Sequence, residues 1–288
     1  MLRCGTERFT RLTGRRLPSI TVWLMHRISL LLFLLFTGPL LATTAPGQVA
    51  SANPEPALYR LEIHTLKLGQ DTEYENSVRE LVGGLRAASV RLPSWDFAVM
   101  RSSPTLYITV DPTANWAMLD TFDSETEEVM KLLGPTMKDF MKRSHATNAR
   151  ESEFFIESEP DKDDPGALGE NGLNFTRFDF YYASSMHSIM QALSSVKRLY
   201  VSSHARISCR LYNAVTGDDL PLVIVAVSAT DQTAFDSEQA RVDAASGPEL
   251  KRLLALARGA SRRVETFNFV SRPDLSYRVE PKTDPLSR

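Results

Sequence analysis

One spacing of 113 residues recurs along this chain of 288 residues. The stretches FFIESEPD and FNFVSRPD carry their prolines at Pro160 and Pro273, which lie that distance apart. A Gly-Pro dipeptide recurs at the same spacing, at residues 134–135 and 247–248, each time inside a run of helical periodicity. Because a proline inside a helix costs about 3 kcal/mol, its repetition at one offset is not expected by chance. The chain is therefore predicted to be a tandem duplication.

The hydrophobic periodicities follow one order in both copies: strand, helix, strand, strand, helix, strand. The predicted elements of the first copy are a strand from Tyr59, a helix opened by the capping box Thr72-x-x-Glu75, strands at 95–101 and 105–110, a helix opened by Ser124-x-x-Glu127, and a strand at 154–158. The predicted elements of the second copy are a strand at 175–182, a helix at 186–196, strands at 207–212 and 220–227, a helix around 250–254, and a strand at 264–270.

A unit of this kind forms a four-stranded antiparallel sheet with its helices on one face, and two units can cover each other's bare faces. The predicted fold class is α+β, with two tandem ferredoxin-like β-α-β-β-α-β repeats packed sheet to sheet as a pseudo-dimeric α/β barrel. The predicted organisation is a signal peptide at 1–52, a short leader at 53–57, repeat 1 at 58–161, an acidic linker at 162–173, repeat 2 at 174–275 and a C-terminal tail at 276–288.

The first segment has the pattern of a secretory signal peptide. An arginine-rich region precedes an apolar run at 28–42, and small residues at 50–52 form an A-x-A cleavage pattern before Asn53. Met25 is an alternative start. An uncleaved membrane anchor is the alternative interpretation, and it ranks second because the apolar run is short for a membrane span. A mitochondrial presequence is a weaker alternative. The protein is predicted to be exported, either periplasmic or secreted, with no membrane contact after cleavage.

The charge after residue 52 argues against nucleic acid as a partner. That part holds 27 basic and 34 acidic residues, a net charge of −7, and no segment forms a basic stripe. Cys209 is then the only cysteine, so no intramolecular disulfide can form. It alternates with Ile207 and Leu211, which predicts a buried strand position rather than a nucleophile.

The stretch YRLEIHTLKLGQDTEYENSVREL, from Tyr59 to Leu81, resembles the first strand and helix of NIPSNAP-type proteins. The wider resemblance is to the dimeric α/β-barrel superfamily, which includes antibiotic biosynthesis monooxygenase-like proteins. It covers both repeats, at 58–161 and 174–275. It implies the fold, whereas function has to be argued from a site.

The first strand suggests where a site lies. Arg60, Glu62 and His64 alternate with apolar neighbours, and so do their counterparts in the second copy. The apolar set, which includes Leu61, is expected to meet the helices, and the polar set then faces the interior between the repeats. The polar residues of the second strand are Arg177, Asp179 and Tyr181.

The functional interpretation gives His64 the role of base or ligand, held by Glu62, with Arg60 neutralising an anionic substrate. Tyr107 on a neighbouring strand is expected to join them. The alternative is a lattice of structural ion pairs. The superfamily resemblance adds Asn115 and Trp116, because its oxygenases use Asn, Trp and His near such positions to hold an aromatic substrate or haem. The chain departs from that pattern, since no His follows until His145, and Trp116 is alternatively a loop aromatic that covers the core.

Motifs of other enzyme classes do not occur. The chain has no G-x-G-x-x-G, P-loop, H-E-x-x-H or G-x-S-x-G motif, and its five histidines show no metal-ligand spacing. No cofactor and no metal are predicted. The leading interpretation is an exported protein, a monomer or homo-oligomer, that binds a small, partly apolar ligand between its repeats. The alternatives are a cofactor-independent oxygenase or isomerase that uses His64, and a non-catalytic scaffold or interaction module.

N-terminal sequencing of exported protein is expected to begin near Asn53, because the small residues at 50 and 52 fit a signal-peptidase site. A variant with leucine at both of those positions is the control, and it should keep the upstream segment. Recovery of Met1 or Met25 at the N-terminus of exported wild-type protein would contradict cleavage.

Overall fold

The structure is a computed structural model that describes residues 57–113, 115–158 and 172–279. The predicted signal peptide at 1–52, nearly all of the linker at 162–173 and most of the C-terminal tail lie outside these ranges. Within them, no helix is both long enough and apolar enough to cross a bilayer.

The described chain forms eight strands and five helices. The strands are β1 (Ala57–Leu66), β2 (Ala98–Ser103), β3 (Leu106–Thr113), β4 (Asn148–Ser158), β5 (Phe175–Ala183), β6 (Ser208–Thr216), β7 (Leu222–Ala229) and β8 (Ser261–Ser271). The helices are α1 (Asp71–Ala87), α2 (Met118–Leu133), α3 (Pro135–Thr147), α4 (Met186–Ser202) and α5 (Gln232–Gly259), and single 3₁₀ turns lie at Pro93–Trp95 and Pro273–Leu275.

The strands form one closed antiparallel barrel in the order β1-β3-β2-β8-β5-β7-β6-β4. The first four strands lie in the order β4-β1-β3-β2 and the last four in the order β8-β5-β7-β6, so both halves of the barrel share one arrangement. The halves join edge to edge at two seams. The seam between β4 and β6 pairs four residues, from Phe155 to Ser158. The seam between β2 and β8 pairs two residues, Met100 with Ser271 and Arg101 with Val270.

The barrel interior is an apolar core that draws residues from all eight strands and from no helix. Strand residues alternate between two faces, so one face of every strand points into the barrel. Burial of each such large side chain stabilises the fold by roughly 1.5–3 kcal/mol. The largest of these fully buried side chains are Tyr212, Phe178, Phe180, Phe269, Leu61 and Ile108.

Helices cover the outside of the barrel in two groups. α1, α2 and α3 pack over β1, β2 and β3, where Tyr107 and Val99 supply strand residues to the shared core. α4 and α5 pack over β5, β6 and β7 around residues such as Tyr181 and Cys209. Cys209 is buried, as the alternation predicted. Both faces of much of the sheet are therefore covered, one by the opposite wall of the barrel and the other by helices.

The predicted order of elements is confirmed, including the interruptions at the two Gly-Pro dipeptides. The first splits α2 from α3 at Gly134, whose φ of 51° lies in the left-handed region that favours glycine. The second bends α5 at Ser246, where φ is −146° and ψ is 18°. Proline lacks an amide hydrogen and clashes with the preceding turn, so each helix must restart there.

The predicted helix starts are wrong at both capping boxes. α1 begins at Asp71, and Gln70 at its N-cap makes no side-chain capping bond, so Thr72 already lies inside the helix. α2 begins at Met118, six residues before the predicted Ser124. The amide of Met118 donates to Asn115 Oδ1 at 3.1 Å, so an asparagine satisfies this helix end instead.

Glu75 of α1 stands at the centre of an ion cluster beside the two-residue seam. Its carboxylate accepts hydrogen bonds from Arg101 of β2 (2.8 Å), from Arg79 (2.7 Å) and from the hydroxyl of Tyr107 (2.8 Å). Arg272, directly after β8, donates to both of its oxygens. These bonds, first of all that from Arg272, hold the pKa of Glu75 at about 2 despite its burial. One carboxylate thus ties α1 to both strands of the seam.

Glu75→Gln is expected to destabilise the protein by about 2 kcal/mol, because charge-assisted hydrogen bonds contribute about 1.5–3 kcal/mol each. The melting temperature at pH 7 should fall by about 4–8 °C. The stabilisation is present above the ordinary carboxyl pKa of 4.5 and is lost as the pH falls towards the folded value of about 2, so the difference from wild type should shrink over that interval.

Glu80→Gln on the same helix is the matched control. Glu80 pairs with Arg143, but its side chain is 57% exposed, and the substitution should cost under about 1 kcal/mol. Equal melting temperatures for the two variants would show that Glu75 does not fasten the seam.

Candidate functional site

The polar residues of β1 face the helices, not the barrel interior as predicted. Leu61 belongs to the interior core, whereas Arg60, Glu62 and His64 point outward. Phe178 of β5 likewise lies inside the barrel, so Arg177 also points outward. The alternation was predicted correctly, but alternation shows only that the polar and the apolar side chains of a strand point in opposite directions. It does not show which set faces the barrel interior. The closed barrel takes the apolar set into its interior because a charge buried there would be removed from bulk water at a high cost in free energy.

The two polar sets do not form one site. β1 and β5 are four strands apart in either direction around the eight-stranded barrel. On β5, Arg177 lies 3.2 Å from Asp179, which also accepts a 2.6 Å hydrogen bond from Thr266. Tyr181 packs into the core beneath α4 and α5. The predicted ligand site between the halves is therefore wrong, because apolar side chains fill that space and the polar groups lie outside it.

A cavity of about 210 Å³ lies between the outer face of β1 and β3 and the helices α1, α2 and α3. Its strand wall is polar and its helix wall is mostly apolar. The strand wall consists of Arg60, Glu62, His64, Thr109 and Asp111. The apolar part of the lining includes Val78, Leu81, Trp95, Phe97, Phe122, Met137 and Phe140.

Strand register assembles the polar wall. β1 and β3 pair Arg60 with Asp111 and Glu62 with Thr109, so these side chains stand beside each other on the outer face. The guanidinium of Arg60 binds Glu62 and Glu153, and its Nη1 lies 3.6 Å from Asp111 Oδ2. Three carboxylates therefore share one arginine. Burial lowers the pKa of Arg60, but the negative charges of these carboxylates outweigh it and the pKa is raised.

His64 lies at the end of this wall and is buried. Its Nε2 lies 3.3 Å from Thr109 Oγ1 and 3.6 Å from Glu62 Oε2. On the other side of the ring, Nδ1 lies 3.4 Å from Asn148 Nδ2. Because an amide nitrogen donates, this arrangement suits a ring that accepts at Nδ1 and carries its hydrogen on Nε2. The Asn148 Oδ1 atom is buried without a hydrogen-bond partner, so a turned amide could serve the other tautomer.

The pKa values of the two acids of the wall, Glu62 and Asp111, are shifted in opposite directions. Burial raises the pKa of Asp111 well above its ordinary value, and the negative charge of Glu62 adds to the shift. Burial also opposes ionisation of Glu62, but its hydrogen bond to His64 and the charge of Arg60 outweigh it, and its pKa is lowered. The cavity thus presents two carboxyl groups whose pKa values are shifted in opposite directions, an arrangement found at sites of acid–base chemistry.

Three polar atoms that belong to the cavity lining are buried without a hydrogen-bond partner. They are Asp111 Oδ1, the indole Nε1 of Trp95 and the hydroxyl of Thr126. A buried polar group that lacks a partner costs about 1–3 kcal/mol. All three atoms belong to residues that line one cavity, and groups of this kind are expected at a site that a polar ligand completes.

The other predicted site residues lie outside the cavity. The hydroxyl of Tyr107 points towards Glu75 and belongs to the ion cluster at the seam. Asn115 caps α2. Trp116 is 41% exposed, donates from Nε1 to Glu157 Oε1 at 3.0 Å and lies 5.7 Å from the ring of Phe155. These three residues have structural contacts that account for them.

Sequence reasoning missed several cavity residues. Asp111 was placed beyond the end of its strand, although β3 continues to Thr113. Asp111 could have been recognised as a cavity residue, because it is an acid that stands opposite Arg60 on the outer face of the neighbouring strand. Trp95 was assigned to a strand but lies in a 3₁₀ turn, and Phe122 lies on the first turns of α2, before the helix start predicted at Ser124.

Among the described residues, no group of three or more His, Cys, Asp or Glu side chains is placed to hold a metal ion. The wall instead offers a histidine, an ionised glutamate and a raised-pKa aspartate. That combination can hold a small polar molecule by hydrogen bonds or move a proton on it.

The fold has counterparts among solved structures. An anthrone oxidase-like protein superimposes with a TM-score of 0.55 and 10% sequence identity, over 76% of this chain and 93% of that chain. A candidate monooxygenase from Fusobacterium nucleatum subsp. nucleatum superimposes with a TM-score of 0.51 and 9% identity, over 75% of this chain and 92% of that chain. No protein-family model and no curated protein matches the chain.

At these identities the likeness shows the fold alone. Both neighbours are of the dimeric α/β-barrel type, and this chain shares their fold. This chain is a mixed α+β protein with an eight-stranded antiparallel barrel. The NIPSNAP resemblance and the tandem duplication stay predictions.

Proposed function

We propose that the cavity beneath α1, α2 and α3 binds a small, partly apolar molecule that contains a ring. The observation that carries the proposal is the division of one cavity between a polar wall from β1 and β3 and a mostly apolar, partly aromatic lining on the side of the helices. Pockets for small ligands are built in this way, with apolar sides and a few convergent polar groups. The ring of Phe122 and the guanidinium of Arg60, 4.7 Å apart, bring the two walls together.

The size of the cavity restricts the ligand. A dry cavity of about 150 Å³ is sufficient for benzene, so about 210 Å³ accommodates one ring with one or two substituents. A molecule of three fused rings would have to extend beyond it.

The proposal includes export and duplication. The signal-peptide pattern at 1–52 supports a protein that acts outside the cytoplasm. The shared strand order of the halves supports a duplicated ferredoxin-like unit. A further correspondence lies in the positions of two rings. Phe122 stacks on Arg60, and Phe235, 113 residues later, lies 5.2 Å from the guanidinium of Arg177.

Thr126→Phe is expected to abolish binding of single-ring compounds, because the added ring occupies the cavity. Affinity for whichever of phenol, benzyl alcohol, benzylamine and benzoate bind to the wild type should fall at least about 10-fold in ligand-observed NMR titrations. The fold should survive, since a volume change beside an existing cavity costs about 1–3 kcal/mol at most.

Thr121→Phe is the matched control, since Thr121 is exposed on the same helix and does not line the cavity. This variant should bind as the wild type does. Equal affinities of the two phenylalanine variants, or no binding of any ring compound to the wild type, would contradict a ligand site here.

The second candidate is an enzyme of the same fold that uses no cofactor. It is favoured by His64, which contacts an ionised glutamate on the wall that also holds the raised-pKa Asp111. In an isomerase, His64 removes a proton from a carbon beside a carbonyl and protonated Asp111 delivers one to another carbon. In an oxygenase, O2 is the oxidant, and a CH2 group becomes a carbonyl as one water forms. The names of the two structural neighbours support the second reaction type.

His64→Gln separates a binder from an enzyme. If the protein is an enzyme, it should catalyse deuterium exchange at the acidic carbon of a single-ring ketone, and the variant should lose that exchange about 100-fold or more. Ligand affinity should change less than about 3-fold. His145→Gln, on the exposed face of α3, is the control and should exchange normally. Exchange that persists without His64 would rule out its role as the base.

A further inference from the structure

The charges around the cavity are unbalanced. Arg60 is the only cation on the strand wall, and it faces the carboxylates of Glu62, Glu153 and Asp111. A fourth acid, Asp96, acts only weakly on Asp111 and is itself paired with Arg278 at 2.8 Å, so the imbalance lies with the three carboxylates around Arg60. The wall therefore has an excess of negative charge that one guanidinium does not neutralise.

The nitrogens of Arg60 are already in use. Nε binds Glu153, Nη2 binds Glu62 and Nη1 lies 3.6 Å from Asp111. An anionic ligand would have to displace one of these carboxylates and would meet the others at close range. This argues against the anionic substrate predicted from the sequence, because like charges in a buried site repel strongly.

The atom that does await a donor is Asp111 Oδ1. Asp111 is more than nine-tenths buried, and this oxygen has no hydrogen-bond partner in the protein. Burial, and next the negative charge of Glu62, raise the pKa of Asp111, so a positive charge bound beside it would favour the ionised form. A cationic donor placed at Oδ1 would satisfy the atom and the charge together.

The remaining walls suit a cation attached to a ring. Trp95, Phe97, Phe122 and Phe140 line the cavity, and aromatic faces attract cations as well as pack against rings. Of the two other unpartnered atoms, the Trp95 indole can only donate, whereas the Thr126 hydroxyl can donate or accept.

We infer that the ligand is a small single-ring amine, bound as its ammonium ion with a hydrogen bond to Asp111 Oδ1. This inference rests on the proposed function, because it names the chemical class of ligand for the same cavity. The ring lies among the aromatic side chains, and an oxygen substituent on it would accept from Trp95 Nε1.

Three probes of nearly equal shape test the charge preference in the wild-type protein: benzylamine, benzyl alcohol and benzoate. Charge-assisted hydrogen bonds are roughly twice as strong as neutral ones, so benzylamine should bind about 10-fold tighter than benzyl alcohol. Benzoate should bind at least about 100-fold more weakly than the amine. This comparison needs no variant and is measured by ligand-observed NMR titration at low salt.

Asp111→Asn then assigns the preference to one residue. The amine should lose its advantage over the alcohol, to within about 3-fold, while benzyl alcohol still binds. Asp120→Asn, an exposed acid on α2, is the control and should keep the wild-type preference.

The outcomes distinguish the two proposals. If the alcohol or benzoate binds as well as the amine, and Thr126→Phe still removes binding, the cavity is a ligand site but the amine inference is overturned. An amine preference that survives Asp111→Asn also overturns it. If no probe binds to the wild type, the proposed function itself fails.

Discussion

Closure of the barrel determines where chemistry can occur in this protein. Eight strands close on themselves, so one face of every strand is removed from water and must be apolar. The charged residues near the middle of β1, β3 and β5 are then directed outward, beneath the helices. The polar triplet Arg60, Glu62 and His64 follows this constraint and meets α1, α2 and α3 instead of the second half. Because α2 covers the strand wall incompletely, a cavity remains there, and its polar contacts come from the pairing of β1 with β3.

Much of the fold could be predicted from the sequence, since hydrophobic period and proline position are local signals. The order of all eight strands and the helix restart at Gly134 follow from them. The face to which β1 directs its charges could not be predicted, because alternation is symmetrical and both faces of this sheet are covered. The predicted site was therefore partly correct: the side chains of β1 were the right ones, but they were assigned to the barrel interior and not to the space beneath the helices. Asp111 was missed because it becomes important only through its cross-strand partner Arg60, a contact 51 positions away in sequence.

The cavity shows how one wall can combine stability and reactivity. Glu62 is held ionised by Arg60 and His64, whereas Asp111, opposite the same arginine, is not fully compensated. A structural lattice of ion pairs would have balanced its charges and satisfied its oxygens, as Glu75 does at the seam with Arg101 and Arg272. The oxygens of Glu75 all have hydrogen-bond partners, whereas one oxygen of Asp111 has none. This contrast distinguishes a structural ion cluster from a binding site.

The shortness of the seam between β2 and β8 has a consequence for assembly. Two residue pairs join β2 to β8, against four between β4 and β6, and beyond β8 the junction continues only through the bridge between Phe97 and Tyr277 and hydrogen bonds around it. Opening exposes two unpaired strand edges, and such edges are templates for pairing with another polypeptide. Two opened copies can exchange their halves and close again as an intertwined dimer, with every strand in its native pairing. Protonation of Glu75 as the pH falls towards 2 removes one of the contacts that keep this seam closed.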